Sequence, residues 1–439
     1  MSVLEDAREI VAQDPVCNAC LGRVFADRSF GLTNEERGRA LRTAFALADD
    51  EPYEAPEIGD CWVCEGYSGA FDALAERVVE KLEGVGFSTY QVGTRVSPLI
   101  EENERLLRES ADLPADAGES FKSECNREVG KRVGRETDTE VDFERPDVLA
   151  LCTIEGDGPE SISAHAVDLQ INPAFVYGRY RKLERDIPQT EWPCRECGGS
   201  GKQLGPDGEE PCEYCGGSGY LYDDSVEGYT VPAVVEAMDG EEGVFHGAGR
   251  EDVDARMLES GRPFVIEVKH PRERDPDVAA LEAEINERAA GSVEVEGLEL
   301  ATHEMVERVK GLDASKTYRM DVEFAEPVDP EAFERALEEL DGTTIEQDTP
   351  QRVSHRRADL TRVREVYSIE GELHDPERAE LTIHGAGGLY VKELVSGDEG
   401  RTDPSFAGLV GVESVVTALD VIDVRGEDEP FDDPDYLRE

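Results

Sequence analysis

Lysine is nearly missing from this sequence. It occurs nine times in 439 residues, so arginine carries almost all the positive charge. No run of 18 or more apolar residues is present, and a membrane-crossing helix is therefore not expected. The stretch from Met1 to Gln13 is acidic and amphipathic. It lacks the basic flank and apolar block of a secretory leader, and the expected location is cytoplasmic. No phosphate-binding glycine loop and no dinucleotide fingerprint occurs. Chemistry driven by a nucleotide triphosphate or a nicotinamide is therefore not expected.

Acid, by contrast, is abundant. There are 101 Asp and Glu residues against 45 Lys and Arg, a net charge of −56. The acid is spread along the whole chain rather than gathered in a tail, which points to a surface adapted to molar salt. At about 1 M salt the screening length is about 3 Å, so this charge does not exclude a nucleic-acid partner. It does make counterion release a minor contributor, leaving stacking and shape to do more of the binding. A hydrophobic fraction of 38% supports packed domains. The length suggests two to four of them.

Eight of the ten cysteines form four CxxC pairs. Without a leader, metal is a better reading than disulfides. Cys194, Cys197, Cys212 and Cys215 sit in CRECGGSG and CEYCGGSG, 14 residues apart. Zinc takes four thiolates in a tetrahedron at about 2.3 Å, and the glycines let the chain turn tightly around it. This repeat resembles that of DnaJ-type chaperones. The His-Pro-Asp tripeptide of a J-domain is absent, however, the nearest match being His270-Pro271-Arg272. Cys17, Cys20, Cys61 and Cys64 offer the same ligand set across a 40-residue gap. Two structural zinc sites are expected, and neither leaves a coordination position open for catalysis. Cys125 and Cys152 have no such partner and read as small buried hydrophobes.

Four segments are expected: a segment with two CxxC pairs at 1–85, a region of mixed helices and strands at 86–187, the cysteine hairpin at 188–221 and a longer α+β region at 222–439. Helices are predicted over Asn34–Leu47, capped by Thr33 with Glu36 three residues on, and over Ala70–Leu82, Phe121–Arg135 and Pro330–Leu340. Predicted strands are Ser88–Ser97, Asp147–Ile154, Ser161–Leu169, Phe264–Val268, Thr317–Phe324, Arg364–Glu372 and Glu380–His384. Residues 271–298 carry only loose patterning, and the tail from Gly426 reads as frayed.

Against so acidic a background, clusters of cations stand out. Lys122, Arg127, Lys131, Arg132 and Arg135 recur along one helical stretch. Arg179, Arg181, Lys182 and Arg185 are interleaved with Tyr177 and Tyr180. Arg352, Arg356, Arg357, Arg362 and Arg364 surround His355, with Asp359 the one acid among them. Arginine forks bind phosphate and stack on bases. Pairing with neighbouring acids is the alternative for any one cluster, but three clusters in this chain point to RNA.

Three segments carry the chemistry. The first, FHGAGREDVDARMLESGRPFVIEVKHP, has GRED at Gly249–Asp252. The second, SKTYRMDVEF, places Tyr318 at the start of a strand. The third, GAGGLYVKELVSGDEGRTDPS, places Lys392 and Leu394 after a glycine turn. In a chain with nine lysines, Lys392 beside a glycine run is not filler. Together these segments resemble the active site of pseudouridine synthases. The resemblance is closest to the archaeal and eukaryotic-type enzymes that act on T-loop uridines 54 and 55 of tRNA, here in a salt-adapted version. It extends to CNACLGR, FKSECNREVGK and YGRYRKLERDIPQTEWPC. It implies an α+β pseudouridine synthase fold with a mixed or antiparallel sheet, preceded by a zinc-containing THUMP-type accessory domain. It also implies Asp252 as nucleophile, with Asp254 as the rival carboxylate. Tyr318 would stack on the uracil and serve as base, Lys392 would pair with Asp252 and hold its orientation, and Leu394 would floor the pocket. Arg250 and the three cation clusters would contact RNA. The implied partner is the tRNA T-arm, bound by a monomer without a catalytic cofactor. A zinc-dependent RNA-binding or chaperone-like protein is the non-enzymatic alternative. A THUMP-linked thiolase or methyltransferase would need a nucleotide or methyl-donor loop, and none is found.

Overall fold

The computed structural model describes residues 2–12, 14–155, 158–162, 166–205, 208–353 and 360–438. The chain divides into two compact units, Met1–Asn172 and Pro173–Glu439.

Local signals build the first unit. The Thr33 hydroxyl accepts from the Glu36 amide, and the Glu36 carboxylate accepts from the Thr33 amide, which opens the helix Asn34–Asp49. The helix Phe71–Leu82 buries Phe71, Leu74, Ala75, Val78 and Leu82 along one face. The helix Phe121–Thr137 starts at Ser120 and ends at Asp138 in the left-handed conformation. These last two pack against a sheet of order Glu140–Val141, Thr89–Arg95, Val148–Thr153, Val167–Ile171. The strand expected over 161–169 begins only at Val167. Pro159–Ser161 forms a short helical turn instead, a position where proline at the first turn is favoured. Residues 163–165 of that expectation lie outside the described residues.

One hydrophobic core joins Cys17, Cys20, Cys61 and Cys64 to Val92, Val129, Val148 and Val167. The expected boundary at residue 85 therefore does not separate two cores. Cys125 and Cys152 are fully buried in the same cluster.

The second unit is organised by a ten-stranded mixed sheet. Its order is Val293–Ala301, Ala174–Lys182, Arg256–Lys269, Ser414–Gly426, Ala314–Phe324, Arg378–Gly385, Arg362–Asp375, Thr344–Gln347, Thr402–Asp403, with Glu242–Gly247 paired to Arg256–Lys269. The strand Ala174–Lys182 thus belongs to this sheet, not to the expected 86–187 region. The reason is that both of its faces are buried: Phe175 and Tyr177 on one side, Val176 and Tyr180 on the other, all in the second core. Between residues 271 and 298 lies a helix, Val278–Ala289, that loose patterning did not reveal. Asp277 caps it by accepting from the Ala279 and Ala280 amides, and Leu281, Ile285 and Ala289 form its narrow buried stripe.

The tail beyond Gly426 is docked, not frayed. Arg308 donates to the carbonyls of Phe431 and Pro430, pairs with Glu429 and lies 4.5 Å over the Tyr436 ring. Phe431 itself is buried.

One pairing positions the site. Ser414–Gly426 runs parallel to Arg256–Lys269, with Val421 opposite Met257, and antiparallel to Ala314–Phe324, with Val421 opposite Tyr318. The register slips there because Ser414–Gly426 carries an extra residue, Ile422, opposite the Thr317–Tyr318 step, while Ala314–Phe324 stays regular against Arg378–Gly385. Tyr318 and the chain leading into Met257 are brought together in this way across two strand pairings.

Candidate active site

The GRED turn hands the chain from the strand Glu242–Gly247 to the strand Arg256–Lys269. Gly249 takes φ +71°, which a side chain disfavours. The Asp252 carbonyl accepts from the Ala255 amide at 3.1 Å and closes the turn. A cavity of about 750 Å³ opens beside it, lined by Asp252, Tyr318 and Lys392 among others.

Asp252 is held by two cations. Lys392 Nζ lies 3.2 Å and Arg352 Nη1 3.5 Å from its Oδ2. Arg352 is itself anchored by Glu393 at 2.6 Å. Lys392 also reaches Asp254 at 3.2 Å, but Asp254 is exposed and does not line the cavity. Lys392, Glu393 and Leu394 are successive residues of the short helix Val391–Ser396. A helix turns about 100° per residue, so Leu394 points nearly opposite to Lys392. Leu394 is fully buried and absent from the cavity lining, which corrects its expected role as the floor. The apolar lining comes from Leu389, Val391, Leu419 and Val421, together with Tyr390.

Beneath the turn lies a buried ionic cluster. Glu251 accepts from Arg262 Nε at 2.9 Å and from the Tyr180 hydroxyl at 2.8 Å, with Lys182 Nζ 3.7 Å away. Burial alone would raise the Glu251 carboxyl, but Arg262 and Lys182 outweigh it and hold the group below its usual range. Lys182 also donates to the carbonyls of Ile187, Asp252 and Val253. Glu251 and Lys182 therefore brace the loop that presents Asp252. Tyr318 is 8% exposed. Burial, reinforced by Asp252 and partly offset by Arg262, pushes its hydroxyl up to about 12.

The expected RNA-contacting residues separate into four groups. Arg250 and Arg352 line the cavity, Arg250 lying 5.7 Å over Trp192. Arg356 and Arg357 lie outside the described residues. The cluster at 179–185 is turned inward, which corrects its expected role. Arg179 donates to the carbonyls of Ser260, Gly261 and Val424. Arg181 pairs with Glu294 and Glu296, Lys182 is buried, and Arg185 pairs with Asp420. In the first unit, Arg127 pairs with Glu119 and Glu128, Lys131 with Glu128, and Arg132 with Asp72 and Glu128. Lys122 and Arg135 are exposed and have no ion-pair partner among the described residues.

Sequence reasoning missed Lys316 and Tyr390, both of which line the cavity. The scarcity that singled out Lys392 applies equally to Lys316, two residues before Tyr318. Among the described residues, seven cations line the cavity (Arg250, Arg262, Lys316, Arg352, Arg362, Arg364 and Lys392) against two acids, Glu251 and Asp252.

Each set of four cysteines has the geometry of a metal site. Within each set the sulfurs lie within 4.8 Å of one another. Cys17 and Cys64 are 3.8 Å apart, Cys194 and Cys212 3.9 Å, and Cys197 and Cys215 3.8 Å. A tetrahedron with zinc–sulfur bonds of about 2.3 Å has an edge of about 3.8 Å, so both sets fit. Arg23 Nη2 donates to Cys20 Sγ at 2.9 Å, and the amides of Gly201 and Gly219 donate to Cys197 and Cys215. Such donors suit thiolates.

Comparison with known proteins adds a family to this geometry. The model described as "Pus10, C-terminal" matches residues 175–425, and "Pus10 THUMP domain, archaeal" matches 74–153. The chain is 62% identical over 439 residues to the "tRNA pseudouridine synthase Pus10" of Halorubrum lacusprofundi, covering 100% of both chains. It is 45% identical to the protein of that name from Methanothrix thermoacetophila, over 97% of this chain and 95% of the relative. For the Pyrococcus furiosus protein the identity is 38%, over 96% of this chain and 98% of the relative.

Proposed function

Since the chain belongs to the Pus10 family of tRNA pseudouridine synthases and is an isomerase of tRNA uridine, we propose that Asp252 is its nucleophile and that its target lies in the T-loop, at position 54, 55 or both. One observation carries the assignment of Asp252. Of the two acids lining the cavity, Glu251 is committed to Arg262, Lys182 and Tyr180 beneath the turn. Asp252 alone is presented to the cavity by flexible cations, Lys392 and Arg352.

The reaction moves one bond. The link from C1′ to uracil N1 breaks, the base turns, and C5 takes the place of N1. The Asp252 carboxylate either attacks C1′ directly or removes the 2′ proton on a glycal route. Lys392 and Arg352 hold it in place for either step. Tyr318 supplies an aromatic face for the uracil. With its hydroxyl near 12, Tyr318 enters as a neutral phenol and stacks more readily than it removes a proton. The target nucleotide must leave its stack to enter, and the excess of cations around the opening suits its phosphates.

Two further properties belong to the same reading. Both four-cysteine sets hold zinc, which supplies folding energy and no catalytic position. The enzyme works as a monomer that grips the T-arm.

The test is incubation of an unmodified tRNA transcript with the protein in molar salt, followed by carbodiimide mapping of pseudouridine. Wild type should mark position 54 or 55. Asp252→Asn should fall below about one per cent of the wild-type rate, the loss expected for a missing covalent catalyst, with tRNA binding retained. Asp254→Asn should keep most activity. The reverse ranking of the two variants would transfer the role to Asp254.

A further inference from the structure

The charges around the GRED turn, with Lys182 and Arg262 buried and Lys316 half-buried in the cavity wall, do not balance. Lys182, Arg262 and Lys316 are three cations that share one carboxylate, Glu251. Lys182 and Arg262 have further partners in main-chain carbonyls. Lys316 has no hydrogen-bond or ion-pair partner among the described residues. It is also set close to the nucleophile's loop. A methyl group built on Gly249 would lie 3.3 Å from Lys316 Nζ and 3.6 Å from Arg262 Nη1. Both cations therefore converge over the glycine that opens the GRED turn. Burial, with help from Arg262 and against Glu251, lowers the Lys316 ammonium to about 8, so it is charged at neutral pH.

The other cavity cations are engaged. Lys392 and Arg352 hold Asp252, and Arg262 holds Glu251. Arg362 donates to Thr349, Arg364 to the Val363 carbonyl, and Arg250 stacks on Trp192. Lys316 is two residues from Tyr318 on one strand, so the two side chains share a face, and both line the cavity.

The reaction creates a negative charge that a preorganised donor can stabilise. When the C1′–N1 bond breaks, its electron pair stays on N1. The detached base is then a uracil anion, with its charge spread over N1, O2 and O4. C5 next bonds to C1′, C5 loses its proton and N1 regains one, so the composition is unchanged. A group that stabilises the anion must be in place before the charge appears.

We propose that Lys316 is a catalytic residue whose ammonium donates to O2 or O4 of the uracil as the glycosidic bond breaks. The proposal rests on the isomerase reading above and assigns a new residue to it. Tyr318 then holds the ring from its face while Lys316 holds it from its edge.

The test uses the full-length protein in molar salt, with single-turnover rates on saturating tRNA. Lys316→Met should slow bond cleavage by about 10² to 10³, as for removal of one preorganised donor to a developing anion, while tRNA affinity changes little. Lys316→Arg should recover much of the loss. A transcript with 5-fluorouridine at the target already stabilises the departing anion, so the Lys316→Met defect in loss of the parent nucleoside should shrink on it. Circular dichroism melting verifies that both variants fold. A wild-type saturated rate in Lys316→Met overturns the proposal. So does an equal loss on both transcripts without rescue by arginine, which would mark a structural role. Weaker binding with an unchanged saturated rate would make Lys316 a phosphate grip and also overturns it. Failure of the wild-type protein to make pseudouridine would instead refute the isomerase reading itself.

Discussion

Replacing Glu251 by glutamine is the sharpest test of how the active-site loop is held. The carboxylate is 1% exposed, Arg262 1% and Lys182 0%. Glutamine keeps the volume and one acceptor oxygen but removes the charge, leaving buried cations without a counter-ion. Removing one partner of a buried pair costs about 3–5 kcal/mol. In a domain of this size, each kcal/mol moves the melting temperature by about 2–4 °C, so a drop of about 6–20 °C is expected. The comparison is Glu334→Gln, on an exposed position of the helix Pro330–Leu340, where a change within about 0.5 kcal/mol is expected.

The pH dependence has a definite sign. Arg262 and Lys182 hold the Glu251 carboxyl below the usual carboxylate range despite its burial, so its contribution is complete above that range and is lost as pH falls through the folded value. Wild type and Glu251→Gln should therefore differ fully at neutral pH and converge in acid. The assay is thermal melting in molar salt across that range. Because Lys182 also braces the Asp252 and Val253 carbonyls, the saturated rate should fall too, well below the melting temperature. If Glu251→Gln melts no lower than Glu334→Gln, the buried cluster does not hold the loop and the account of its geometry fails.

Four other outcomes follow from the same geometry. Metal analysis of carefully prepared protein should find two zinc ions per chain, with Cys20→Ser and Cys197→Ser each losing one; one ion or none in the wild type would contradict this. Arg352→Ala and Lys392→Ala each leave Asp252 one cation, so each single variant should lose about 10- to 100-fold in saturated rate, and the double should depart from additivity as neighbouring groups do. Lys122→Ala with Arg135→Ala should raise the tRNA concentration needed without slowing the saturated rate, because only uniform binding is lost. The saturated rate should fall as pH rises through about 8, where the Lys316 ammonium, flanked by Arg262 and Glu251, gives up its proton; Lys316→Arg should abolish that limb, and an unchanged profile would show that another group controls it.

How far the sequence predicted this arrangement depends on the range of the interaction. Local rules worked where the signal is local. The Thr33–Glu36 capping box, the helix Pro330–Leu340 and the CxxC turns can each be read within a few residues. Asp252, Tyr318 and Lys392 could be singled out because glycine turns and a strand start mark them, but their convergence depends on the pairing of Val421 with both Met257 and Tyr318. The cation cluster at 179–185 misled for the opposite reason. Apart from the Ile187 carbonyl, its partners, among them Ser260, Glu294, Asp420 and Val424, are distant in sequence. In a chain with 101 acids, most cations find an internal partner, and local density of arginine says little about which ones do not. The helix Val278–Ala289 was missed because its buried stripe is only three residues wide within a charged sequence, although Asp277 was visible as its cap.

This imbalance bears on how so acidic a protein handles RNA. Among the described residues the cavity carries seven cations and two acids, a formal +5 from seven minus two, inside a chain whose total is −56. At low salt, with a screening length of about 10 Å at 0.1 M, the surrounding acid would reach across the cavity and repel the tRNA backbone. At about 1 M that length shrinks to about 3 Å, which is comparable to a hydrogen bond. The outer acid then ceases to be felt at the site, while contacts made inside it persist because they are short and partly desolvated. The acidic surface and the catalytic cations are thus separated by distance. The surface can be acidic enough to stay hydrated in brine, provided the few cations that act on the nucleotide are in contact with it. Two of the nine lysines, Lys316 and Lys392, line the cavity wall and can satisfy this condition, while a third, Lys182, is buried directly beneath the turn. In a chain that otherwise relies on arginine, those three sit where a compact point charge on a flexible stem is useful, against a carboxylate, a main-chain turn and a departing base.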